Sequence, residues 1–431
     1  MRSDSFADSP WVPSGPSLTL RKSSVAGALS FFNPTTAVYD INGDEGSGGT
    51  TDDLSDITDA IRKERAKLQW NARDYRKGRH VLILPRAAPL ASRLQKRSGS
   101  HKVLLGIVRM FTLYPYWDVS WLIGLSFTIG CLIFVASGLF YWLPIAFPNT
   151  AFPRESSVAG GVSSFIGATL FQIGAVLLLL ESYNDRAETQ FGGAMEHLFV
   201  NRLGIARRVK SHRCQHFDIE KAPGQVPARN GSLHRLLSTR DGEVFVAAAA
   251  AGQEDTKANV LASRDWKDKT HAEREWQWWP SWDDVRTHYL YETGFLASFI
   301  MSIGATVFYV CGILALPGVF EKLGEGVLQG VYYFCYLLGG VLFVVSSVLY
   351  ILETQPNWYT PQPRKIGWHV GAWNLVGGIG WTLAASFGYC KPDWCEYQSQ
   401  LSLIWASAAF SFGSALQWYE SLDKYIVVIG E

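Results

Sequence analysis

The chain predicts an all-α membrane protein: six transmembrane helices arranged as three parallel-oriented hairpin repeats, behind a disordered N-terminal tail. Three observations carry that expectation. Six apolar windows, near 119–143, 162–181, 294–316, 330–352, 367–388 and 399–418, are each long enough to cross a hydrocarbon core, which takes about 20 helical residues. Positive charge is one-sided: 36 of the 39 Lys and Arg lie in 1–116, 182–293, 353–366 and the C-terminal tail, while the alternate loops hold only Arg154, Lys322 and Lys391. Finally, a carboxylate closes every second window, in VLLLLESYND (176–185), VLYILETQPN (348–357) and ALQWYESLDK (415–424).

The bulk numbers agree. With 431 residues, 48% apolar, and a mean hydropathy of +0.05, the chain sits between a soluble protein and one that is all membrane, as spans interleaved with polar segments would. A net charge of +1 gives no reason to expect a nucleic-acid partner. Residues 1–60, rich in Ser, Thr, Gly and Asp, read as a disordered cytosolic tail. The opening MRSDSFADSP has no apolar core of a signal peptide, so the first span is expected to act as the insertion signal.

Residues 61–116 follow as a cytosolic juxtamembrane segment. Within it IRKERAKLQWNARDYRKGR (61–79) reads as a basic helix carrying Leu68, Trp70 and Tyr75. It is either an anchor on an anionic leaflet or an ordinary solvated helix. Hairpin 1 is placed at 117–182, hairpin 2 at 294–353 and hairpin 3 at 354–421, with a short tail at 422–431. The 183–293 loop is expected to be partly ordered. It carries a second basic stretch against the membrane (202–213), the strand-or-helix segment EVFVAAAAAG, and EWQWWPSW, whose four Trp suit the headgroup region. The positive-inside rule puts both termini in the cytosol. There the tail and loop offer a surface to a protein partner, and the spans meet membrane lipids. Plasma membrane and endomembrane are not distinguished.

Aligning Glu181, Glu353 and Glu420 exposes the repeat. Leu177, Leu349 and Leu416 stand four residues earlier; Gly174, Ser346 and Gly413 seven; Phe171, Phe343 and Phe410 ten; Gly167, Gly339 and Ala406 fourteen. At about 100° per residue, the Glu, Leu and small positions share one face within about 80°. Small residues at such spacing let membrane helices approach closely. The Glu therefore extends a packing seam, and three seams in one orientation are all buried if the hairpins surround a pseudo-threefold axis. A weaker echo aligns Gly130, Gly304 and Gly378 in the other spans.

Two-helix hairpins with small residues and a terminal Glu resemble the YrhK-like domain, here in three copies. WQWWPSWDDVRTHYLYETGF resembles a fungal family of multi-pass integral membrane proteins. The resemblance covers about 110 to 430 and implies fold and membrane location, without catalytic residues.

The carboxylates have two readings. Structurally, they pair with juxtamembrane cations such as Arg186, Arg364 or Lys424, or bond across hairpins. Functionally, they form a ring at a cytosolic mouth that attracts cations or relays protons. Gln172, Asn374 and His369 are the other polar residues in the spans, read as interhelical or interfacial. Cys390 and Cys395 share an outward loop and are expected to form a disulfide, free thiols being the alternative. His212, Cys214 and His216 in SHRCQHFD lack a fourth ligand, so no metal is expected. No HExxH, GxSxG, Walker or Rossmann motif occurs, so neither catalytic residues nor a cofactor is expected. The leading expectation is a structural, sensing or scaffold role. The alternative is a transporter or channel for a small solute or cation, with its path between the hairpins.

Overall fold

The protein is described from a computed structural model covering residues 18–41, 67–84, 100–184, 237–240, 243–246, 276–422 and 425–429. In chain order the elements are β1 (Leu18–Leu20), β2 (Thr36–Ile41), β3 (Lys67–Asn71), α1 (Ala72–Arg76), β4 (His80–Leu84), α2 (Ser100–Thr112), α3 (Val119–Ala146), α4 (Gly161–Tyr183), β5 (Leu237–Arg240), β6 (Glu243–Val246), α5 (Trp282–Thr287), α6 (Thr293–Leu314), α7 (Phe334–Glu353), α8 (Ile366–Phe387), α9 (Asp393–Ser421) and β7 (Tyr425–Ile429).

Helix predominates. Four helical stretches, Val119–Ala146, Glu155–Tyr183, Thr293–Leu314 and Glu325–Glu353, are long and apolar enough to cross a membrane, and they mark the chain as a membrane protein. Two of them contain a π-helical turn, Glu155–Gly160 at the start of the one that ends in α4 and Leu328–Tyr333, after the α-helical Glu325–Val327, in the one that ends in α7. α8 and α9 match them in length, but Gly, Trp, Asn and His dilute the apolar content of α8, and Ser, Gln and Tyr that of α9.

The six long helices close a ring in chain order. α3 packs on α4, α4 on α6, α6 on α7, α7 on α8, α8 on α9, and α9 returns to α3. Small residues make these approaches possible. A Cβ on Gly130 would stand 3.1 Å from the Gly167 carbonyl oxygen, one on Gly339 3.2 Å from that of Gly304, and one on Gly377 2.9 Å from that of Ala406. The partner of Ala406 is thus Gly377 and not Gly378, which faces Val344 on α7 instead, so the register of the echo shifts by one in the third pair. At the next seam level, Gly174 lies against Phe127, Ser346 donates to the Ala297 carbonyl at 2.7 Å, and Gly413 lies against Asn374.

Inside the ring the core is aromatic. Phe171, Phe343 and Phe410 form a triangle with centroid separations of 5.3, 5.4 and 6.0 Å. Trp381 stacks on Phe410 at 4.8 Å and also contacts Phe134 and Phe308, and its indole N–H donates to Ser407 Oγ at 3.0 Å.

Outside the ring the structure corrects three expectations. Part of the 1–60 tail is ordered: β1 and β2 belong to a five-stranded sheet of order β1-β2-β3-β4-β7. Burial alternates along 33–40, with Ala37 and Tyr39 inward, which is enough period-2 pattern to form a strand once a partner face exists. The described part of segment 61–79 is not a surface helix but β3 followed by the single-turn α1, because the apolar Leu68, Trp70 and Tyr75 pack under the sheet with Ala37 and Tyr39. The described part of the C-terminal tail is a strand as well: β7 pairs in parallel with β4, joining the residues after the last long helix to the sheet that precedes the first. In the long loop, β5 and β6 form an antiparallel hairpin, so EVFV is strand. The basic stretch 202–213 and the His212, Cys214, His216 set lie outside the described residues.

Candidate functional site

The connection between β3 and β4 is driven into one end of the helix ring. Asn71 caps α1, its side chain accepting from the amides of Arg73 (3.0 Å) and Asp74 (3.4 Å). Gly78, at φ 59°, ends the turn in the left-handed region that glycine adopts without strain. This tight cap presents Arg73, Arg76, Lys77 and Arg79 together, and all four are buried.

What receives them is the carboxylate triplet. Glu181, Glu353 and Glu420 are at most 1% exposed. Arg76 binds Glu353 through two N–H donors, at 2.5 and 3.1 Å. Arg73 binds Glu420 in the same forked manner, at 2.9 and 3.4 Å, and Arg79 adds a bond of 2.7 Å to Glu420 while holding Asp74 at 2.6 Å. Glu181 is treated differently. It accepts from the Ser120 hydroxyl, with Lys77 Nζ at 3.9 Å and Arg76 Nε at 4.0 Å. Arg73, Arg76, Lys77 and Arg79 thus face the three Glu and the partly buried Asp74, so that basic and acidic side chains are equal in number. Such pairing is required, since an unpaired ion in this environment costs several kcal/mol.

The residue opposite each Glu explains the difference. Ser120, Gly294 and Gly367 stand near the starts of α3, α6 and α8, each ten residues before Gly130, Gly304 and Gly377 respectively. A Cβ on Gly294 would collide with the Arg76 guanidinium and the Glu353 carboxylate, and one on Gly367 would meet Arg73 Nε at 2.6 Å. Glycine therefore opens the approach that two arginines use. At Ser120 that space is filled by a hydroxyl, which itself becomes the donor.

Beneath the cap lies a cavity of about 10 Å³, lined by Arg73, Arg76 and Lys77 above and by Phe127, Leu178, Met301 and Phe410 below, with Asn374 and Gln417 at its side. That is about the room one water needs, and Arg76 Nε and Asn374 Oδ1 lack hydrogen-bond partners there. It ends on the aromatic layer.

Burial pushes the Lys77 ammonium below its ordinary value. A folded-state value below the unfolded one means that, between the two, the unfolded chain binds more protons and stability rises with pH. The stability of the wild type relative to Lys77→Met is therefore expected to rise as pH climbs toward the ordinary lysine value of about 10.4. Denaturant unfolding of both proteins in detergent across that range checks it, and parallel curves would show that Lys77 does not titrate abnormally.

Of the residues singled out from sequence, the three Glu converge and the seam positions Gly167, Gly174, Gly339, Ser346, Ala406 and Gly413 all face neighbouring helices. Among the described residues, the cations that meet the Glu are Arg73, Arg76, Lys77 and Arg79, and Arg364 is not one of them. Arg364 is exposed, and Arg186 and Lys424 lie outside the described residues. Arg73, Arg76, Lys77 and Arg79 were the missed partners; a capping Asn71 and a closing Gly78 around ARDYRK were the local signal of a compact basic turn. Gln172 donates to Thr306 on α6 at 3.0 Å, and His369 contacts the Pro363 carbonyl at 2.7 Å. Cys390 and Cys395 are joined by a disulfide, Cα atoms 5.8 Å apart. Comparison with protein-family models, curated proteins and solved structures finds no match to this chain.

Proposed function

We propose that the protein is a non-enzymatic, multi-pass membrane scaffold, with six spans as three like-oriented helix pairs about a pseudo-threefold axis and a cytosolic cap that carries its partner surface. One observation carries the reading: the three carboxylates are sequestered and neutralised by Arg73, Arg76, Lys77 and Arg79, so they act as a lock for the cap and not as an open cation ring. The aromatic layer behind them fills the route that a solute would need, which weighs against the transporter alternative.

The composition of the outer surface supports six spans over four. Between Ile366 and Leu383, the exposed residues of α8 are Trp373, Val376, Ile379 and Leu383, and those of α9 past its first turn are Trp405, Ala408 and Phe412. Gly371, Asn374, Gly377, Gly378 and Gly380 of α8, and Ser402, Ser407, Ser411, Gly413, Ser414 and Gln417 of α9, which lower their hydropathy, are buried. The resemblance to YrhK-like hairpins fits the same arrangement.

Proteoliposomes test the lock. A reconstituted wild-type protein is expected to hold a proton or potassium gradient as long as protein-free vesicles do, and a leak that depends on Glu181, Glu353 or Glu420 would overturn the scaffold reading. Orientation has its own check. Asn230, in the sequence's one glycosylation sequon and outside the described residues, should carry no glycan, since the charge split puts it in the cytosol. An endoglycosidase-sensitive mass shift at Asn230 would reverse the topology.

A further inference from the structure

We infer that α2 is an in-plane lipid-binding helix, its apolar face seated in the polar–apolar boundary of the bilayer at the end of the ring that holds the three carboxylates. The inference rests on the membrane reading above and adds a contact surface to it.

The sequence of α2, SHKVLLGIVRMFT, is sorted by face. Val103, Ile107 and Phe111 repeat at four-residue intervals, and Leu104 and Val108 lie beside them, so at about 100° per residue the five cover an arc of about 140°. His101, Arg109, Lys102 and Thr112 share the next arc, interrupted only by Leu105. A third, narrow side meets the ring. Gly106 leaves room for the Tyr419 ring, and Met110 is buried against Trp121 and Trp418. Tyr419 and Trp418 adjoin Glu420, which fixes the level of α2 at the carboxylate end.

The broad apolar face has no protein cover among the described residues. Leu104 is 61% exposed and Phe111 63%, and the exposed apolar surface continues through Leu113, Tyr114 and Tyr116 up to the buried first turn of α3. A contiguous patch of this kind marks a contact site. Length excludes a span: thirteen residues rise about 20 Å, against a hydrocarbon core of about 30 Å. Continuity identifies the occupant. From the exposed Tyr114 and Tyr116 and the half-buried Trp117 the chain passes into α3, a helix apolar enough to cross the membrane, where the half-buried Leu122 and Leu125 pack beside Met110 and the exposed Ile129 and Leu132 follow. Tyr and Trp at that junction suit the interface, and a short helix with one apolar and one polar face lies within it. The same lipid that covers α3 is thus brought to α2.

The test places an environment-sensitive fluorophore by maleimide at Phe111→Cys, Thr112→Cys or Leu132→Cys. Each is made in the full chain with the four cysteines other than Cys390 and Cys395 changed to Ala, and each is reconstituted in phosphatidylcholine vesicles with or without spin-labelled lipid. Leu132 is an outward residue of α3 and reports on the membrane reading alone. The expected result is blue-shifted emission quenched by shallow spin labels at Phe111→Cys, quenching by deep labels at Leu132→Cys, and water-like emission at Thr112→Cys. Quenching at Leu132→Cys with water-like emission at Phe111→Cys would overturn the inference and leave the membrane reading intact. A blue shift at Phe111→Cys without lipid quenching would also overturn it, assigning the face to protein, either a second copy or another chain. No quenching at Leu132→Cys would remove the membrane reading, and this inference with it.

Discussion

Replacing Arg76 with methionine is expected to destabilise the folded chain by about 3–5 kcal/mol, the usual consequence of removing one partner from a buried ion pair. The cost comes from what remains. Glu353 is fully buried, and without Arg76 its nearest cation is Arg73 Nη1 at 3.9 Å, which is already committed to Glu420. Glu353→Leu should cost a similar amount, because Arg76 would then face only Glu181 at 4.0 Å. The double variant Arg76→Met/Glu353→Leu is expected to recover most of the loss, since two apolar side chains of similar volume need no desolvated charge between them. Denaturant unfolding in detergent, followed by tryptophan fluorescence, measures all three. A single-variant cost under about 1 kcal/mol, as for a pair in water, would mean that solvent reaches the cap.

The second large effect is expected at Trp381→Ala, about 3–5 kcal/mol. Trp381 is fully buried and contacts five aromatic rings, with centroids between 4.8 and 5.9 Å. Truncation leaves a cavity among rings from different helices, and it also strips the Ser407 hydroxyl of its indole donor. Lipid cannot fill that space, so the loss is of packing contacts as much as of transfer energy. Trp373 on the same helix is the control. It stands on the outer face against Phe412 at 5.0 Å, and Trp373→Ala should cost well under half as much. Equal costs at the two positions would mean that the aromatic layer is not the mechanical centre of the ring.

The helix register shows how far sequence reasoning reached. The seven-residue spacing of Gly174, Ser346 and Gly413 with Gly167, Gly339 and Ala406 identified the inward stripe because a helix maps spacing onto direction with no reference to anything distant. The misplacement of Gly378 has the opposite origin. GGIG offers three glycines in a row of four residues, and only the facing Ala406 carbonyl distinguishes Gly377 from its neighbour. The tail and the C-terminal strand were illegible for a related reason. Thr36–Ile41 and Tyr425–Ile429 are short, and a strand is stabilised mainly by partners that lie, for β4 and β7, some 340 residues apart in the chain.

The sequence by itself determined the apolar helices, the one-sided charge and the three inward carboxylates, because length, hydropathy and periodicity are local properties. Only the tertiary structure decided what those carboxylates do. Buried charge must be compensated, but Coulomb attraction names no partner along the chain, and cations near the spans in sequence were as eligible as those in the N-terminal segment. The choice of Arg73, Arg76, Lys77 and Arg79 follows from geometry. A capped turn of five residues is narrow enough to enter the ring, Gly294 and Gly367 leave the space for two guanidinium groups, and the sheet closed by β7 holds the turn in place.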